Sequence, residues 1–252
     1  MEYRFAPAGG YEDVASGRVL LHRSGQPPFP ARLALELFGR ARELAPKKEG
    51  LVVYDPFCGG GTLLTVIGFL ASAPVALLAG SDLDADALRT AEQNLALLSR
   101  EGLLRRRQRL EALFSAYGKP SHRDAVESAE RLAARLPAVP LPTRVFQADA
   151  CAPPCPQALE LRADIVVTDI PYGRLTPWQG EADDPLPAFA AQIRAAMAPQ
   201  GVLALCASAA QALPPLSRMA AAPEAEDREA AVRPVSGGLA DTPCNPRPFV
   251  LY

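Results

Sequence analysis

The chain has 252 residues, 49% of them hydrophobic, enough to bury a full core and near the upper end of what one α/β domain uses. Its 26 Lys and Arg against 28 Asp and Glu leave a formal charge of -2, which excludes the uniformly basic body of a non-specific nucleic-acid coat and makes any nucleic-acid site local. Five cysteines, at 58, 151, 155, 206 and 244, are an odd number in a chain too long to need a disulfide scaffold; with no charged leader and no membrane-spanning apolar run, they argue for the reducing cytoplasm.

In chain order, Leu33, Leu37 and Leu44 follow Pro30 at helical spacing and predict a leading helix over 30–45, so that 1–45 reads as an N-terminal helical extension. Leu51 to Asp55 is a short apolar strand ending in an acid, followed by glycines 59 to 61 and an apolar helix from Thr62 to Ala71. The pattern repeats with a strand from Val75 to Ser81, the acids Asp82 and Asp84, and a helix from Ala85 to Leu98. Residues 99–142 are helical in pattern and rich in charge, and read as a helical insertion and a possible RNA-binding element. Further strands are expected at 144–148, 164–168, 202–207, 230–235 and 249–252, the last two joined by a Gly-Gly loop that suggests a closing antiparallel hairpin. Such alternation specifies a single α/β domain over 1–252, with a mostly parallel seven-stranded sheet and helices on both faces.

In open α/β sheets a ligand binds beyond the carboxyl ends of the strands, where this chain places acid after acid. Asp55-Pro-Phe-Cys-Gly-Gly-Gly-Thr-Leu63 sets a carboxylate against a glycine turn that lets a ligand approach the backbone. No lysine follows the glycines and the dinucleotide spacing is absent, so a zwitterion fits better than a phosphate. Asp82 and Asp84 follow the second strand, Asp149 the third and Asp169 the fourth. Only His22 and His122 exist, and Cys151-Ala-Pro-Pro-Cys155 lacks a second pair, so no metal site is expected.

The glycine segment resembles the first motif of the class I methyltransferases, which implies a Rossmann-like fold and S-adenosyl-L-methionine as cofactor. The resemblance implies that Asp55, Gly59 and Gly61, with Cys58 and Thr62 beside them, line the methionine part. It places Asp82 at the ribose hydroxyls, with Asp84 either sharing that role or capping the next helix. It sets Asp149 at the adenine amino group, with the Ala150 N–H at a ring nitrogen. Asp169-Ile-Pro-Tyr172 resembles the (Asn/Asp)-Pro-Pro-Tyr motif of enzymes that methylate planar amines, departing from it at Ile170. That implies catalytic roles for Asp169, for the carbonyl held rigid by Pro171, and for Tyr172 as a stacking face.

The motif is shared by DNA adenine, RNA adenine, RNA guanine and protein glutamine enzymes. Within the insertion Arg105, Arg106, Arg107, Arg109 and Lys119 lie among Phe114 and Tyr117, a mixture suited to RNA or to a solvated helical face. Arg174 and Trp178 follow the catalytic strand as candidate RNA contacts, with core packing the alternative for Trp178.

Over its whole length the chain is similar to the avilamycin-resistance ribosomal RNA methyltransferases of the AviRa family. The likeness runs through Tyr3-Arg-Phe5, Arg23-Ser-Gly-Gln-Pro-Pro-Phe-Pro-Ala-Arg-Leu33, Asn94-Leu-Ala-Leu-Leu-Ser99, Tyr117-Gly-Lys-Pro-Ser121 and Thr168-Asp-Ile-Pro-Tyr-Gly173. It implies methylation of a guanine in large-subunit (23S) ribosomal RNA, with orthosomycin resistance as the consequence; a monomer is the separate expectation for the chain. The exocyclic N2 is favoured because the catalytic segment serves amines. Adenine N6, a protein glutamine, or a catalytically silent RNA-binding protein of the same fold are the alternatives, the last disfavoured by acids at four strand ends.

Overall fold

The computed structural model describes residues 3–15, 17–22, 29–171, 178, 180, 182, 184–207 and 249–251. A short 3-10 turn at Glu12–Val14 and helix α1 (Ala31–Leu44) precede the alternating core of β1 (Leu51–Asp55), α2 (Thr62–Leu70), β2 (Val75–Asp82) and α3 (Ala85–Ala96). Two helices, α4 (Arg100–Tyr117) and α5 (Pro120–Ala133), then interrupt the alternation before β3 (Thr143–Gln147), α6 (Pro156–Leu161) and β4 (Ala163–Asp169). Helix α7 (Pro185–Ala196), β5 (Met197–Cys206) and β6 (Phe249–Leu251) complete the described elements.

The sheet runs β3-β2-β1-β4-β5-β6, parallel throughout except for β6, which pairs antiparallel with β5. Winding proceeds outward in both directions from β1 and β4, so their carboxyl ends flank the topological switch point where such sheets bind ligands. The register aligns Asp55 with Gly80, Asp82 with Gln147 and Asp169 with Cys206, bringing the acids to one edge.

Alternation along the central strands sorts their side chains between two cores. Leu51, Val53, Ile165 and Val167 face one, with α1, α2 and α3, while Tyr54 and Val166 face the other, with α6 and α7. A strand covered on both faces needs apolar residues at nearly every position, which is why β1 and β4 read as continuous hydrophobic runs. Helix α2 is buried from Leu63 to Phe69, the pattern of a helix enclosed on all sides.

The Rossmann-like fold is the expected one, with a difference in strand number. Six strands occur among the described residues, against the seven expected; the strand expected at 230–235, and the hairpin it would form, lie outside them. Among the described residues the N-terminal extension is α-helical over Ala31–Leu44 alone. The chain before it is sewn to α1 by Glu36, whose buried carboxylate accepts the backbone N–H groups of Arg4 (3.0 Å), Phe5 (2.8 Å) and Ala6 (3.2 Å) and the Arg40 Nε–H (2.6 Å). Burial pushes that carboxyl up, but the Arg4, Phe5 and Arg40 donors outweigh it and hold it below its usual range.

The insertion is a packed helical hairpin. Ser99 caps α4 through the Gly102 N–H (3.1 Å), Gly118 closes it in the left-handed region at φ 63°, and Pro120 opens α5. Leu103, Leu110, Ala125, Ala129 and Leu132 carry the buried seam, and Arg131 grips Asp13 with two nitrogens, tying the hairpin to the N-terminal turn.

Candidate active site

Asp55 ends β1 in full burial. Its Oδ1 accepts the Thr168 hydroxyl (2.7 Å) and the Phe57 N–H (3.1 Å). Burial pushes the carboxyl up to about 7; the two donors oppose the shift, and the negative charges of Asp82 and Asp169 reinforce it. Asp55, Asp82 and Asp169, from three strands, therefore converge on one place.

The turn after Asp55 is held by its own hydrogen bonds. The Cys58 N–H donates to Ser81 O (2.9 Å), the Gly59 N–H to Asp82 Oδ2 (2.9 Å) and the Gly61 N–H to Cys58 O (2.7 Å). Gly61 is the N-cap of α2 at φ 71°, and a Cβ there would lie 3.0 Å from the Ala91 Cα and Cβ, so both conformation and the approach of α3 require glycine. Thr62 opens α2 behind it. Cys58 is buried and its thiol is pushed well above the usual range by that burial, so the neutral side chain fills space beside Gly80.

Asp82 ends β2 with one oxygen on Gly59 and the other accepting the Asp84 N–H (2.9 Å), an orientation fixed by two backbone donors. Burial raises its pKa against those bonds. Asp84 Oδ1 accepts the Asp86 N–H (2.8 Å) and the Ala87 N–H (3.3 Å) and caps α3. The next strand end sits alongside, since the Ala148 N–H donates to Asp82 O (3.2 Å). Asp149 Oδ1 accepts the Cys151 N–H (2.8 Å) across a turn that contains Ala150, and Gly180 lies so near that a Cβ on it would come 2.5 Å from Asp149 Oδ2.

Half-buried Asp169 ends β4. Ile170 explains the departure from the double-proline motif: its N–H donates to Cys206 O (3.1 Å) and its side chain is wholly buried, so it extends the β4–β5 ladder where proline has no N–H to give. Pro171 follows, half-buried; Tyr172 and Arg174 lie outside the described residues. Trp178 packs edge-on against Phe57 (ring centroids 5.4 Å), which in turn meets Phe189 (5.1 Å), so its indole serves the second core.

The basic residues of the insertion divide as sharply. Arg105 pairs with Glu101, and Arg107 with Glu111 (3.2 Å). Arg106 is a clasp: its Nε–H donates to Val19 O (2.8 Å) and a terminal nitrogen to Arg18 O (3.4 Å), and burial lowers its pKa. A guanidinium turned onto two backbone carbonyls holds the N-terminal segment, a role the sequence did not suggest for a candidate RNA contact. Arg109 and Lys119 are exposed.

Two site-supporting residues escaped the reading of the sequence. Thr168 is the buried partner of Asp55, and a polar residue in the run Ile-Val-Val-Thr was its signal. Asn94 lies fully buried in α3 at a position in step with Ala87, Ala91 and Leu95, where an apolar residue is the rule. Among the described residues no group of three or more His, Cys, Asp or Glu could hold a metal, and no helix is long and apolar enough to cross a membrane.

Carboxylates converging from strand ends, one of them beside a glycine turn, suit a ligand that carries an ammonium, a sulfonium and a ribose diol. With this strand order and edge, fold and site define a class I S-adenosyl-L-methionine-dependent methyltransferase. A class I S-adenosylmethionine-dependent methyltransferase from Listeria monocytogenes shares the fold at a TM-score of 0.50, 13% identity, covering 91% of this chain and 61% of that one. The chain belongs to the rRNA methyltransferase AviRa family, whose model matches residues 1–219. It is 40% identical over 173 residues, 67% of this chain and 69% of the relative, to a Streptomyces viridochromogenes protein named 23S rRNA (guanine(2535)-N(1))-methyltransferase. The rRNA methyltransferase aviRa structure from the same organism superposes at a TM-score of 0.81 with 31% identity, covering 100% of this chain and 96% of that one.

Proposed function

We propose that this protein methylates N1 of a guanine in 23S ribosomal RNA, using Asp169 to accept the N1 proton. The reading is carried by Asp169 at the switch-point end of β4, in a chain whose 40% identical relative is named for guanine N1. The exocyclic N2 expected from the amine motif gives way to the ring nitrogen on that relative's name. The two atoms ask for different presentations. An exocyclic amine offers a lone pair across the ring face, whereas N1 offers one only in the ring plane and only once its proton has gone. A carboxylate suits the second case: it accepts N1–H and the neighbouring N2–H together, as guanine's edge presents them.

In this reading Asp55 and the turn Cys58, Gly59, Gly61 and Thr62 hold the methionine end of the cofactor, Asp82 the ribose, and Asp149 with the Ala150 N–H the adenine. When bound, the cofactor supplies a methyl group on a positively charged sulfur. Asp169 takes the N1 proton, Pro171 stiffens the backbone after it, and Tyr172 stacks on the base. Arg109, Lys119 and Arg174 meet RNA phosphates. Arg105 and Arg107 join them by exchanging Glu101 and Glu111 for phosphate, since exposed ion pairs are worth only about 0–1 kcal/mol. The enzyme acts as a monomer in the cytoplasm, where its ribosomal substrate is made, and lowers orthosomycin binding.

The test is incubation with methyl-labelled cofactor and 23S RNA, large subunits, duplex DNA or protein, followed by nucleoside analysis. Label in 1-methylguanosine is expected. Label in N2-methylguanosine would return the reaction to the amine, and label confined to DNA or protein would overturn the substrate.

A further inference from the structure

Asn94 and the N-terminal strap it grips have no place in the reading above. We infer that Asn94 is a positioning residue for the methionine end of the cofactor site, holding the glycine turn against residues 17–22. The inference rests on the placement of the cofactor proposed above.

All of the Asn94 side chain is committed. Its Oδ1 accepts the Leu21 N–H (2.7 Å), and its Nδ2 donates to Leu21 O (3.1 Å) and to Gly60 O (2.7 Å). It thus pairs with Leu21 as a neighbouring strand would, while its remaining N–H fixes one peptide of the turn. That peptide is pinned at both ends, because its other side, the Gly61 N–H, donates to Cys58 O (2.7 Å). The strap itself is also held by Arg106 on Val19 and Arg18, and its own Val19 and Leu20 are fully buried. A glycine turn would otherwise rotate its peptides at little cost, losing the backbone arrangement that an amino-acid ligand must meet.

Asn94 therefore controls the turn more directly than it controls the adenosine end. Asn94→Asp keeps the shape but replaces two donors with an acceptor facing two carbonyl oxygens, and Leu21→Pro removes the strap's N–H together with the leucine side chain. Both variants should be titrated by calorimetry with S-adenosylhomocysteine and with methylthioadenosine, which lacks the amino-acid end. The expected result is about a tenfold loss for S-adenosylhomocysteine with methylthioadenosine nearly unchanged, and a raised cofactor KM with kcat largely kept. Equal weakening of both ligands, or a lower Tm with both affinities intact, would reduce Asn94 to a structural residue. Asp82→Ala in parallel should weaken both ligands; if it weakens neither, the cofactor placement has failed, independently of Asn94.

Discussion

The carboxyl edge of the sheet and the α4–α5 hairpin were each expected to gather one kind of charge, acids for a cofactor and arginines for RNA. At the edge, Asp55 and Asp82 end β1 and β2, Asp149 follows two residues after β3, and backbone N–H groups turn each carboxylate. On the hairpin, adjacent arginines point three ways: Arg105 to a glutamate on its own helix, Arg106 inward to the strap, Arg107 to another glutamate. A strand end determines where a residue is and which way it faces; a helix distributes neighbours around its axis by 100° steps, so a run of like residues shares no common face. Residue type identifies a role only where the backbone has already settled direction.

The largest test of this contrast is Asp169→Asn, which should lower kcat by about 10²–10⁴-fold while cofactor affinity, measured by calorimetry, stays within about twofold. Full turnover would mean that a strand-end acid can be in register and still idle.

Asp55 gives a finer test through pH. Burial pushes its carboxyl up to about 7, so pairing with an ammonium requires losing a proton below that pH, and cofactor affinity should fall about tenfold per unit under pH 7. Stability moves the other way: with the folded pKa raised from 3.8, this group's contribution is fully present below about 4 and is lost as pH rises through 7. Asp55→Asn should therefore flatten the fall in ligand-free Tm between pH 5 and 8 while abolishing the pH slope of binding. An unchanged pH slope in that variant would assign the titration to another group.

The smallest effects sharpen the hairpin side. Arg109→Ala should reduce the salt slope of RNA binding by about one with Tm unchanged. Arg106→Ala should do the reverse, leaving the salt slope alone and destabilising by about 1–3 kcal/mol through two unsatisfied carbonyls. The opposite pattern in filter binding and thermal melts would restore Arg106 to the RNA surface.

Hydrophobic alternation and the acids closing each run made the fold class and the switch point legible from the sequence, because strand period and strand polarity are local properties of the chain; the cofactor came from the resemblance of the glycine segment to the class I methyltransferases. The departure at Ile170 was visible there too, but its reason was not: it lies in the Cys206 carbonyl, 36 positions along, which needs an N–H that proline lacks. Thr168 beneath Asp55, Asn94 between Leu21 and Gly60, and Arg106 on the strap have the same standing. Each is a hydrogen-bonding side chain whose partner is distant in sequence, and only the packed structure brings that partner within 3 Å. Local pattern determined which residues stand at the edge of the sheet; tertiary contact decided which of them are held in place, and by what.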